Sequence, residues 1–382
     1  MTKADPVAFL STLRAWQLKH LAFLTGLNST GTKAQLRRTL VDCTKKPTLP
    51  SPRCRILSID MGVKNLAFCL LDLHKLPRGS ERTNAEAGYR TLSLHLADWK
   101  RLDVSERLAA RHTNPPIATT SRISEDRVGK AEGSKSSEMT SEEGSNLYAP
   151  SSLSKIAFGL ASEFLRYKPD YILIERQRFR SGGGPAIQEW TVRVNMLESM
   201  LWASLETMRH GHRGKQVAEE ERFPEVLEMS PRRVGMFWLT RANFFPAPAD
   251  IAASLKVSQD TAKTMETDIK KKSFEKKDKI ALARHWLSLA LTTDELTVDA
   301  DLARMVASFC SPKERQSRQR SKDEEHGQEV ESKDAPAISG KLDDLADCLV
   351  QAVTFALWEQ NRARVGEYLD SEKRSSLTDQ KL

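Results

Sequence analysis

The sequence predicts an α/β fold in which a mixed sheet is flanked by helices and preceded by a small helical unit. Three observations carry this. Residues 53–100 hold three apolar runs with short polar links, the pattern of antiparallel neighbours. Beyond residue 150, apolar runs of strand length alternate with segments of helical periodicity, which puts further strands and covering helices on one sheet. The first 46 residues repeat apolar residues at helical spacing.

In chain order, Leu10, Leu13, Leu18, Leu21 and Leu24 mark a helical face, and Gly26 stops that helix. Ser29, Thr30 and Thr32 are N-cap candidates for the next, whose buried face holds Leu36 and Leu40. Pro47, Pro50 and Pro52 read as a linker, so residues 1–48 are set off as a unit. The three strands follow as RCRILSID, NLAFCLLDL and YRTLSLHLADW. Residues 102–148 are polar and charged, the composition of a disordered insertion. Residues 153–166 form an amphipathic helix, and PDYILIERQRF a buried strand. A long helix at about 186–209 spaces Ile187, Trp190, Val194, Leu197, Leu201 and Leu205 for packing. PEVLEMSPRRVGMFWL reads as a strand, a Ser-Pro start and a helix. A lysine-rich stretch, with Lys270, Lys271, Lys272, Lys276, Lys277 and Lys279, reads as a loop, solvated or facing nucleic acid. The helix DKIALARHWLSLAL comes next, then a second disordered insertion at 311–338. The last helix is placed at 341–360 and residues 361–382 form a tail. Three antiparallel strands followed by helix, strand, helix, strand and helix is the order of an RNase H-like fold, here a core over 53–360.

The net charge of +8, with a pI near 9.2, suits a polyanionic partner, though a solvated basic surface gives the same balance. No apolar run reaches the roughly 18 residues of a spanning helix, so a soluble chain without a membrane partner is expected. Cys43, Cys54, Cys69, Cys310 and Cys348 are scattered without a CxxC pair, which argues against a zinc knuckle or a disulfide framework. The N-terminus lacks a secretory apolar region and is a poor transit peptide by composition.

Acids stand where apolar pattern would otherwise continue. Asp60 ends the first strand, Glu175 sits in YILIERQ, and Asp343, Asp344 and Asp347 open the last helix. Each alone fits a plainer role: a turn residue before Gly62, a partner for Arg176 or Arg178, or helix-capping acids. Together they favour a site. Asp60 and Glu175 lie on strands the fold makes neighbours, and Asp344 and Asp347 share a helical face at i, i+3. Four carboxylates at one sheet end suit two magnesium ions roughly 3.5–4 Å apart, which activate a water and stabilise the leaving oxygen of a phosphodiester. Magnesium, with manganese as an alternative, takes such hard oxygen ligands. Gly62 would keep that space clear.

SIDMGVKNLAFC, ILIERQRFRS and KLDDLADCLVQA resemble the three motifs of the fungal mitochondrial Holliday junction resolvases, which are similar to RuvC-type resolvases. The resemblance implies a homodimeric, Mg²⁺-dependent endonuclease that makes paired symmetric nicks in four-way junction DNA. By motif the catalytic and metal-binding acids are Asp60, Glu175, Asp344 and Asp347, with Asp343 in reserve because it also pairs with Asp347 at i, i+4. The family implies a mitochondrial location; a nuclear one stays open. LKHLAFLTGLNSTGTKAQLRRTL resembles a SAP motif, a two-helix DNA-binding module, and a plain helical hairpin is the alternative.

Arg176, Arg178 and Arg180 would share one face of an extended segment and grip phosphates beside the acids. Phe179 packs in the core or stacks on an unpaired base. SGGGP at 181–185 lacks the Lys-Ser/Thr of a P-loop, so no nucleotide cofactor is expected. Lys33, Arg37, Arg38, Arg232 and Arg233 are further phosphate candidates, and RHGHRGK at 209–215 reads as a basic loop. A non-catalytic SAP-containing DNA-binding protein and an RNase H-like nuclease acting on hybrids or single strands are the competing functions.

Overall fold

Strand β1 (Arg53–Asp60) is the axis of the molecule. It pairs antiparallel with β2 (Leu66–His74), from Arg53 opposite His74 to Asp60 opposite Ala67. On its other edge it runs parallel to β4 (Tyr171–Glu175), with Ile59 beside Ile174. β3 (Ser93–Leu102) and β5 (Glu225–Met229) extend the sheet, and β6 (Leu296–Val298) closes one edge, giving the order β5-β4-β1-β2-β3-β6. Three consecutive antiparallel strands followed by parallel β4 and β5 is the RNase H-like arrangement; β6 is an addition the sequence reading missed. The computed structural model describes residues 6–45, 53–74, 93–104, 106–107, 148–177, 189–213, 222–240, 249–256, 273–290, 296–311 and 342–379. The two expected disordered insertions therefore fall largely outside the described residues, as do Arg178, Phe179, Arg180, Ile187 and Lys270, Lys271 and Lys272.

Side chains alternate across a strand, and here both faces are covered. Leu57, Ile59, Phe68, Ile172 and Ile174 pack under α4 (Pro150–Arg166) and α5 (Glu189–Arg213). Cys54, Ile56, Cys69, Leu71 and Leu173 face the other layer. That layer holds α6 (Pro231–Leu239), α8 (Lys276–Leu289), α9 (Ala303–Cys310) and α10 (Leu342–Asp379). Burial of a single Leu or Phe contributes about 1.5–3 kcal/mol relative to exposure. Asp72, an acid within the fully buried part of β2, is paired by Arg53 and by Arg55 at 2.7 Å. Among the described residues no helix is long and apolar enough to cross a membrane.

The N-terminal unit has three helices: α1 (Pro6–Thr12), α2 (Ala15–Leu24) and α3 (Lys33–Lys45). Thr32 is the cap of α3, exchanging contacts with Gln35. The expected separation from the core is corrected. Leu10, Leu18, Leu21, Leu36 and Leu40 share one cluster with Val365 and Leu369 of α10 and with Ile251 and Leu255 of α7 (Ile251–Lys256). Asn361 donates to the Leu24 carbonyl at 2.7 Å, Arg362 to that of Thr25 and Arg233 to that of Gly26. Helix α2 thus ends on side chains of the core. The tail expected at 361–382 is corrected for the same reason: α10 continues to Asp379, because buried positions recur at Trp358, Asn361, Val365 and Leu369. The basic loop expected at 209–215 is helical through Arg213. The lysine loop is corrected too, since Lys276, Lys277 and Lys279 open α8 behind a Glu275–Asp278 capping box.

Candidate active site

Asp60 follows Ile56 and Ser58 in alternation, and Glu175 follows Tyr171 and Leu173. Parity therefore turns both carboxylates toward the α10 layer. Both end their strands, on neighbouring edges of parallel β1 and β4. The first turns of α10 bring Asp347 to the same place. One carboxylate oxygen each from Asp60, Glu175 and Asp347 lies within 4.8 Å of the others. Gln351, one turn beyond Asp347, fixes this approach. Its amide nitrogen donates to Ser58 Oγ at 3.0 Å and lies 3.4 Å from the Ile59 carbonyl, in the strand just before Asp60. Sequence reasoning missed Gln351; its signal is a polar residue breaking the apolar run CLVQAV.

The electrostatics follow from the crowding. Burial raises the Asp60 pKa well above the usual carboxylate range, and Glu175, Asp347 and Asp344 push it further up. Asp347 is raised by burial as well, with Lys279 opposing the shift. Lys279 Nζ is 2.6 Å from Asp347 Oδ1. Burial disfavours its charge, yet Asp347, Glu175 and Asp60 outweigh burial and its pKa is raised. Asp343 is held by Lys276 across the α8–α10 contact. Asp344 bears on Asp60 through its charge and stands outside the group of three. The two lysines were absent from the site as read from sequence, since a KKxxK run resembles solvated charge.

The remaining candidates scatter. Arg176 follows Glu175 directly and pairs with Glu228 at 2.8 Å, half-exposed. Arg232 is exposed, whereas Arg233 is half-buried against Gly26. Lys33 and Arg37 reach Ser11, at 3.3 and 3.0 Å, and Arg38 is exposed near Asp42. Trp190, expected in the core, is 39% exposed. It meets Tyr148 edge-on at 6.2 Å, with Lys64 over its ring. Gly62 has a different rationale from the one expected: a Cβ there would sit 2.9 Å from the Asn65 carbonyl oxygen, so the β1–β2 turn itself excludes a side chain.

The donor set fits a hard divalent cation. Magnesium takes oxygen ligands at about 2.0–2.1 Å, and oxygens within 4.8 Å of one another need little movement to share one ion. Asp72 shows the contrast: a buried structural acid in this chain is paired by two guanidinium groups, while Asp60 is crowded by three carboxylates with Lys279 opposing them. Three acids at one end of the sheet form an oxygen donor set of the kind that could hold such a cation.

The family described as mitochondrial resolvase Ydc2 / RNA splicing MRS1 matches residues 56–365, and the chain belongs to it. The protein named cruciform cutting endonuclease 1, mitochondrial, of Schizosaccharomyces pombe is 27% identical over 236 residues, covering 61% of this chain and 70% of that one. The Saccharomyces cerevisiae protein of the same name is 21% identical over 372 residues, covering 94% and 86%. A Thermus thermophilus RuvC structure aligns with 80% of this chain and 95% of its own, at 11% identity and a TM-score of 0.29.

Proposed function

We propose that this chain is a structure-selective endodeoxyribonuclease that resolves four-way DNA junctions by paired, symmetric, metal-dependent hydrolysis. The observation that carries the reading is the convergence of Asp60, Glu175 and Asp347 within 4.8 Å at the end of β1 and β4. Membership of a family described as mitochondrial resolvases supports it, as do relatives named as cruciform-cutting enzymes. A magnesium ion held by these acids would supply the activation of water and the stabilisation of the leaving oxygen. The chain's own residues do the rest. Asp60, Glu175 and Asp347 provide the oxygens, with Asp344 adjoining and Asp343 engaged by Lys276. Gln351 holds α10 to the strands. Arg176, beside Glu175, is placed for a phosphate, with Arg178, Arg180 and Arg232 as further contacts. Residues 1–48 are the SAP-like DNA-binding unit, offering Lys33, Arg37 and Arg38. The location is mitochondrial. Two symmetric cuts call for two sites about a twofold axis, hence a homodimer, with α5 contributing to the interface.

The RNA-splicing part of the family description makes a non-catalytic nucleic-acid-binding role the second reading. Purified protein incubated with labelled four-way junction, duplex and RNA–DNA hybrid, with and without Mg²⁺, separates the readings. Metal-dependent paired nicks confined to the junction are expected, and Asp60→Asn or Glu175→Gln should cut at background rate while still binding it. Wild-type cutting by a folded Asp60→Asn protein would sink the assignment.

A further inference from the structure

Carboxylates this close repel one another unless a cation lies among them. In this chain one is built in. Lys279 reaches from the first turn of α8 to Asp347 Oδ1 at 2.6 Å, and the two side chains are only 18% and 15% exposed. Lys276, three residues earlier on the same helix, pairs with Asp343, four residues before Asp347 on α10. The two pairs form a clasp between α8 and α10, and its inner member sits at the three acids. Trp286, Leu282 and Ala283 of α8 pack into the same core as Leu345, Ala346 and Leu349 of α10. The ammonium is therefore delivered by a fixed helix.

We propose that Lys279 is a placeholder for the metal: it holds Asp347 toward Asp60 and Glu175 before a divalent cation arrives, and it gives up Asp347 when the cation binds. This rests on the reading of the acids as a metal site. Lys279 is then a positioning residue, acting through Asp347. The metal and the ammonium compete for one carboxylate, so the lysine assembles the site at the expense of metal affinity. A unit charge about 5 Å from a divalent ion is worth roughly tenfold in affinity even at the dielectric of bulk water.

The test uses the full chain without DNA. Mn²⁺ binding is followed by the electron paramagnetic resonance of the free ion for wild type, Lys279→Met, Lys279→Gln and Lys279→Arg. Each is also melted in EDTA and in saturating Mn²⁺. The Met and Gln variants should bind Mn²⁺ about tenfold more tightly, and the Arg variant should stay close to wild type. Lys279→Met should melt below wild type in EDTA and regain the difference in Mn²⁺. Equal or weaker Mn²⁺ binding by the neutral variants overturns the proposal. So does a melting deficit that Mn²⁺ leaves in place, or an Arg variant that behaves like Met, since packing would then be the cause. Should the Met variant fail to fold, Gln, which keeps a hydrogen-bond donor, decides by the same criteria. A parallel junction-cutting assay on wild type keeps the two readings apart. Wild type that binds Mn²⁺ at these acids but cuts no junction sinks the function alone; wild type that cuts while Lys279→Met binds Mn²⁺ more weakly sinks the placeholder alone.

Discussion

At the scale of single residues, two positions outside the acid set carry sharp expectations, one for the site and one for stability. Gln351 is buried, and its amide is shared among Ser58, Ile59 and Leu173. Gln351→Leu keeps the volume but leaves those oxygens without their donor, a cost of about 1–3 kcal/mol. The variant should fold with a lowered urea midpoint and cut more slowly than wild type at saturating Mg²⁺, because Asp347 lies one turn away. An unchanged cutting rate would remove Gln351 from the positioning of α10. Gly26 is the second case. Its φ is +70, and a Cβ would lie 2.2 Å from the Trp358 ring. Gly26→Ala should destabilise by about 2–4 kcal/mol, combining left-handed backbone strain with overpacking against a buried ring. A denaturant midpoint within error of wild type would contradict that. Asp60 and Glu175 were legible from sequence, because each is an acid standing where an apolar strand run would otherwise continue. Lys279 was not, because the sequence does not reveal that α8 lies against the start of α10.

Among elements, strands were read more faithfully than helix ends. β1 begins and ends where its apolar pattern does, and the short links after it left antiparallel pairing as the simple solution. Helix α10 was cut short at residue 360 because Arg362, Arg364 and Glu367 resemble a solvated tail. The spacing of Trp358, Asn361, Val365 and Leu369 carried the missing signal, but Asn361, Val365 and Leu369 find partners in α1 to α3, far away in sequence. β6 is three residues long, below what alternation can reveal. Helix α2 carries its own test. Burial lowers the pKa of His20, so the unfolded chain binds the proton more readily than the folded unit. Stability is then full above the ordinary value near 6.5 and falls as pH drops toward the lowered one. Melting curves between pH 7.5 and 5 should show wild type losing more stability on acidification than His20→Gln. Parallel losses in both would show that His20 titrates as it does in the unfolded chain.

For the whole molecule, the helical unit and the core are one structure. A chain beginning at residue 49 would expose Val365, Leu369, Ile251 and Leu255, all now covered by the leucines of α1 to α3. At about 1.5–3 kcal/mol per buried side chain, the loss is on the order of 5 kcal/mol or more. The truncated protein should melt well below the full chain, although it retains every acid of the site. Equal melting temperatures would restore the picture of a detachable module. Light scattering should give twice the chain mass at micromolar concentration, and a monomer that still makes paired nicks would refute the twofold arrangement. Continuity of α10 has one more outcome. The same helix carries Asp347 near its start and Trp358, seated under Gly26, about eleven residues on. A helix rises about 1.5 Å per residue, so the two points stand roughly 16 Å apart along a rigid rod. One helix thus ties the seat of the N-terminal helices to the acid site, so a change in how α1 to α3 pack is carried to Asp347 through the same rod.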